Sequence, residues 1–145
     1  MIIMTVGIHA LALDIILRKT RRLEIRLKQV FPRAWKTSLV SLVVLAVFMA
    51  HIFEIWLWAI LFIALGEPHL QHLEAALYFS TSTFTTVGYG DLVLSEKWRL
   101  LASFESACGF ILFGLSAAFI FEVISPLYKG QSREIEIKKN QKKSD

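Results

Sequence analysis

Two nearly unbroken apolar runs decide what this chain can become. From Thr37 to Gly66 the only ionisable side chains are His51 and Glu54, and from Leu100 to Tyr128 they are Glu105, Cys108, Glu122 and Tyr128. A helix rises about 1.5 Å per residue, so about 20 mostly apolar residues cross the hydrocarbon layer, and both runs are longer. With 55% hydrophobic residues in a chain of 145, the sequence predicts a single-domain, all-α membrane protein. Trp56 and Trp58 are expected in an aromatic belt at the outer end of the first run. Cys108 has no partner for an intrachain disulfide and reads as a small packing residue.

The basic residues set the orientation. Eight lie between Arg18 and Lys36, six from Lys129 onward, and only Lys97 and Arg99 lie between the long runs. By the positive-inside rule the N-terminal basic segment and the C-terminal tail face the cytoplasm, at the plasma (cell inner) membrane. The net charge of +4 therefore reflects topology, and without aromatic interleaving the basic tail gives no reason to expect nucleic acid. Residues 1–36 divide into an apolar segment, Met1 to Leu17, and a basic amphipathic helix. The apolar segment holds His9 and Asp14 and fits a third span, an interfacial helix or, less well, a signal peptide. In the basic helix Ile16, Thr20, Leu23, Leu27 and Val30 form one stripe, and Pro32 ends it. Its other face, Arg18, Arg21, Arg22 and Lys28, is expected to meet anionic lipid.

Between the runs, Leu73 to Thr85 is too short to span and reads as a re-entrant helix. It leads into "TTVGYGD", Thr85 to Asp91. Non-helical backbone at membrane depth is tolerated where it is buried in protein or lines a watery path. Gly88 and Gly90 can take positive φ, which lets successive carbonyls turn to one side. Such a ladder of oxygens can replace the hydration shell of a monovalent cation. Ser95 in the loop beyond is expected to cap the last helix.

"ALYFSTSTFTTVGYGD" (Ala76 to Asp91), followed by "CGFILFGL" (Cys108 to Leu115), resembles the pore of the two-span potassium channels. The resemblance implies an outer helix 37–65, a pore helix 73–85, a filter 86–90, an inner helix 98–128 and a tail 129–145. It implies K+ held by Thr86, Val87, Gly88 and Tyr89, with Gly90 completing the filter and no organic cofactor. Val87 and Tyr89 would point away from the ion. Thr85, Tyr78 and Asp91 would support the filter, Tyr78 by a hydrogen bond to Asp91. Ser82 stands where the best-known members have a glutamate, so the usual carboxylate brace on Asp91 is missing. One chain supplies one filter strand, so a homotetramer is implied.

Gly109 and Gly114 can bend the inner helix or admit close packing, and the resemblance implies a gating hinge at Gly109. Phe121, two to three turns further in, is the candidate constriction. His51, Glu54 and Glu105 are costly inside spans. They are expected to meet behind the pore helix, either bracing the filter through Ser80, Ser82 or Thr83 or sensing protons. Glu122 is expected to pair with Lys129 or a basic residue of the first segment. No nucleophile–base constellation or phosphate-binding loop suggests an enzyme. The sequence thus predicts passive potassium conduction, with a weakly selective cation channel or a non-conducting regulatory subunit as alternatives.

Overall fold

The computed structural model describes the backbone of residues 1–144 and the side chains of residues 1–128. It is built from helices α1 (Ile2–Val30), α2 (Trp35–Ala64), α3 (Leu73–Phe84) and α4 (Arg99–Ser144), with a short 3₁₀ turn at Pro68–Leu70. No strand occurs among the described residues, as expected for backbone that must satisfy its own hydrogen bonds in lipid. Among the described residues two helical stretches are long and apolar enough to cross a membrane, Trp35–Ala64 and Arg99–Tyr128.

The N-terminal segment is one continuous helix, so the apolar and basic halves are not separate elements. It ends where Phe31 leaves helical geometry (φ −128°, ψ 67°) and Pro32 follows. A tight connection then turns the chain back. Lys28 packs on the Trp35 ring near the turn, His9 meets Glu54 in the middle, and Met1 reaches the core near the far end of α2. α1 therefore runs antiparallel beside α2, and its apolar half packs into the bundle instead of lying across it.

α2 buries Leu39, Val43, Val47, His51, Ile55 and Ala59, a ridge at every fourth residue. α4 buries Glu105, Cys108, Leu112, Ser116 and Val123 in a matching stripe. Between them sits α3, and Phe62, Phe79 and Phe84 interlock at the centre, with Phe62 and Phe79 edge to face at 5.3 Å. Lipid tails are as apolar as these side chains, so dispersion and close fit hold such helices together more than water exclusion does.

Trp58 is 0% exposed, so it belongs to this core and not to an outer aromatic belt. It lies one turn beyond Glu54 on the ridge that faces α3, whereas Trp56 points outward. Pro126 does not end α4, whose backbone stays helical through Ser144. Phe48, Phe104, Phe110, Leu115 and Phe121 are exposed on the single chain. That much bare aromatic and aliphatic surface fits a lipid or protein neighbour better than water.

Candidate ion pathway

α3 ends just before the glycine-rich segment, and its C-terminal dipole places roughly half a negative charge at that end. Thr85 closes the helix, its hydroxyl donating to the Thr81 carbonyl at 2.6 Å. The chain then changes character. Thr86 has φ +62°, Gly88 +53° and Gly90 +79°, while Val87 and Tyr89 between them are not positive. Such an alternation can turn successive carbonyls to one side, where a regular β-strand sends them to opposite sides. Gly88 donates its N–H to the Ser82 carbonyl at 3.0 Å, tying the segment to α3. A cavity of about 280 Å³ lies between this strand and the start of α4, lined in part by Thr86, Gly88, Gly90 and Ser106.

Tyr78 donates to Asp91 Oδ2 at 2.8 Å and stacks on Tyr89 with ring centroids 6.2 Å apart. Asp91 also accepts from the Leu92 N–H at 3.1 Å. Ser82 bonds its own helix, donating to the Phe79 carbonyl at 3.0 Å, so it gives Asp91 nothing. Val87 and Tyr89 remain exposed on the single chain.

Ser95 does not cap α4. Its N–H and hydroxyl both donate to the Glu67 carboxylate, at 2.8 and 2.9 Å, and Glu67 is 1% exposed. This clamp joins the loop after α2 to the loop after the glycine-rich segment. Removing a buried carboxylate that accepts two bonds leaves both donors unpaired, so Glu67→Ala should destabilise the protein by about 2 kcal/mol. Thermal unfolding in detergent beside Glu67→Gln, which keeps one acceptor, measures that loss.

On α4, Gly109 touches the end of α3 at Phe84. A Cβ built on it would lie 2.0 Å from the Phe84 carbonyl oxygen, whereas one on Gly114 would meet nothing within 4 Å. Phe121 is 71% exposed, two turns further along. Glu122 lines a cavity with Arg18, Arg21 and Glu24 of α1, and Lys129 lies outside the residues whose side chains are described. Arg18 pairs with Asp14 at 2.7 Å, and Lys28 with Glu24 at 2.6 Å.

The buried ionisable groups differ most from expectation. His51 and Glu54 do meet, His51 Nδ1 lying 3.1 Å from Glu54 Oε2. Their other partners are His9, whose Nδ1 is 2.8 Å from Glu54 Oε1, and Ser116. The Ser116 hydroxyl lies 2.9 Å from His51 Nε2 and 3.1 Å from His9 Nε2. Glu105 is not in this cluster, because it precedes Ser116 by three turns of α4, about 16 Å along the axis. It faces Ser80 of α3, and neither of its oxygens has a well-formed hydrogen bond. Nor does the cluster reach Ser80, Ser82 or Thr83. Its contact with α3 is the Phe84 ring, 6.0 Å from His51. His9 and Ser116 carried a sequence signal, a histidine in an apolar helix and a serine amid apolar neighbours, but nothing local pairs them. Ligand atoms of His9, His51 and Glu54 lie within 4.8 Å of one another, so these three are also the residues nearest to a metal-ligand set.

A family model described as an ion channel matches residues 39–125, more than half of the chain, and the chain belongs to that family. The matched span runs from near the start of α2 through α3 and the glycine-rich segment into α4. Among known proteins the chain is similar to the voltage-gated potassium channel Kch of Escherichia coli (strain K12), 40% identical over 65 residues. That match covers 44% of this chain and 15% of the relative's length. No solved structure matches the chain.

Proposed function

We propose that this membrane-embedded ion channel is a potassium-selective pore, a homotetramer in which Thr86-Val87-Gly88-Tyr89-Gly90 lines the ion path. The observation that carries the reading is the sign alternation of φ at Thr86, Gly88 and Gly90. It aims carbonyls one way from a strand that hangs off the negative end of a helix dipole. A β-branched residue at positive φ is a costly outlier, and such strain gathers at functional sites. One strand cannot encircle an ion, so four chains must contribute. The exposed Val87, Tyr89, Phe110 and Phe121 are then surface for neighbouring subunits or the pore. In this assembly K+ sits between carbonyls of Thr86, Val87, Gly88 and Tyr89. Gly109 holds the inner helix to the pore helix, Phe121 narrows the inner mouth, and both basic ends face the cytoplasm, where Arg21 and Arg22 meet anionic lipid. The channel moves ions down their gradient and catalyses no reaction. The potassium channel in the relative's name accords with this reading.

Flux into liposomes containing only this protein tests it, with potassium and sodium compared and external barium as blocker. Potassium flux with little sodium flux and barium block is the expected result. Equal flux of both ions would replace it with a weakly selective channel, for which the lack of any Ser82 contact to Asp91 would be the cause. No flux at any pH, even with Phe121→Ala, would replace it with a non-conducting subunit.

A further inference from the structure

The four buried side chains form a closed ring: Glu54 Oε1, His9 Nδ1, His9 Nε2, Ser116 Oγ, His51 Nε2, His51 Nδ1 and back to Glu54 Oε2. Each of its four contacts is 2.8 to 3.1 Å long, the length of a hydrogen bond, and a hydrogen bond needs one proton between its two atoms. The supply can be counted. A neutral imidazole carries one N–H, a serine hydroxyl one O–H, and an ionised carboxylate none. Two neutral histidines, Ser116 and ionised Glu54 therefore bring three protons to four contacts. One contact would set two lone pairs against each other, inside a buried site carrying an uncompensated negative charge. Both conditions are costly. A fourth proton, on either imidazole or on the carboxyl, completes every bond and makes the ring neutral.

We propose that His9, His51, Glu54 and Ser116 form a binding site for one exchangeable proton, which ties α1 and α2 to α4. Placement adds to the proposal. Thr5 and His9 of α1 are 0% exposed, so the ring is the polar seam by which this extra helix grips the two spans. Ser116 stands on α4 between Gly114 and Phe121, so the grip bears on the helix proposed to line the pore. Proton binding needs no pore to be measured; its effect on flux rests on the protein being a channel. The surroundings offer few competing groups. α3 presents the Phe84 ring and α4 the Phe113 ring, 4.5 Å from His51. The nearest other titratable groups on α4 are Glu122, six residues on, which lines a cavity with Arg18, Arg21 and Glu24 of α1, and Cys108, two turns the other way, with Glu105 beyond it. On α1, Asp14 is engaged with Arg18 at the surface.

A metal ion is the rival occupant of the three-ligand set. The two imidazoles are stacked, 4.9 Å between centroids and 30° between planes, and every ring nitrogen already has a partner at hydrogen-bond distance, both Nε2 atoms on the Ser116 hydroxyl and both Nδ1 atoms on Glu54. The carboxylate gives each ring its own oxygen. That arrangement suits two hydrogen bonds better than one metal.

Glu54→Gln tests the proton count directly. A glutamine amide donates to one Nδ1 and accepts from the other, so all four contacts are filled with neutral groups and no added proton. The ring stays intact but is fixed in its proton-bound form. The imidazole ¹⁵N signals of the full chain in lipid nanodiscs, followed from acid to alkaline pH, provide the readout. In the wild type the signals of His9 and His51 should change together in one step as a single proton leaves. In Glu54→Gln that step should be absent, while the signals of His69 and His72, exposed in the loop before α3, stay as in the wild type. Potassium flux should change across that step in the wild type and be flat in Glu54→Gln. Separate titrations of His9 and His51, a joint step that survives Glu54→Gln, or signals that move on adding Zn²⁺ and return with a chelator would each overturn the proposal.

Discussion

Replacing Gly109 by alanine lowers the unfolding temperature sharply, whereas the same change at Gly114 leaves the fold intact. Both residues sit inside α4, where alanine is intrinsically the better helix former by about 1 kcal/mol, so propensity alone predicts stabilisation at both. Packing reverses the sign at one of them. A methyl group on Gly109 would stand 2.0 Å from the carbonyl oxygen of Phe84 and 2.9 Å from its carbonyl carbon, far inside contact distance. The obstruction is backbone at the end of the pore helix, not the tip of a side chain that can turn aside. Relief requires α3 and α4 to separate, which opens the cluster around Phe84 and Leu112. Overpacking costs about 1–3 kcal/mol where side chains can shift; here the loss should be at least about 3 kcal/mol. Thermal unfolding in detergent of the two variants beside the wild type measures it. A stabilised Gly109→Ala would show that the helices slide apart freely, and the bending role implied by the resemblance would then be the reason for a glycine there.

What could be read in the sequence was what depends on neighbours along the chain. The two apolar runs are visible because crossing a membrane imposes a length, and α2 and α4 lie on them. The short α3 is visible because its apolar stretch stops before a segment that glycine spacing marks as non-helical. Tyr78 and Asp91 bracket that segment, and their 2.8 Å contact was available from the family resemblance, not from the residues alone. The hidden features are those that join distant parts. Glu67 and Ser95 are 28 residues apart, and neither looks unusual until the loops on either side of the pore helix are side by side. His9 was only a histidine in a short apolar segment, and a histidine among leucines and alanines is expensive in lipid. The partners that remove that expense are 45 and 107 residues away. The tryptophans show a related limit. Trp56 and Trp58 have the same composition around them, and only the helix register places one outside and the other at the core.

On the proposed reading, alanine at Gly88 should abolish selective potassium flux while the folded chain survives. Gly88 sits at φ +53° with nothing within 4 Å of the position a Cβ would take, so the obstacle is conformational and not steric contact with neighbours. For an L-residue the left-handed region costs about 1–2 kcal/mol, and the chain can avoid the cost by turning the peptide toward negative φ. That single rotation breaks the alternation set by Thr86, Gly88 and Gly90 and swings one carbonyl out of the row. A cation stripped of water at that point then lacks part of its replacement shell, and because the site is in series with the others, flux falls with it. The backbone change is local, held on one side by the Gly88 N–H to Ser82 bond, so unfolding should shift by no more than about 2 kcal/mol. D-alanine at the same position, introduced by semisynthesis, separates the causes. It carries the same methyl group but favours positive φ, so flux and selectivity should return. Loss of flux with both isomers would mean that the methyl group itself obstructs the assembled pore, and full flux with L-alanine would mean that the ion path does not run along this strand.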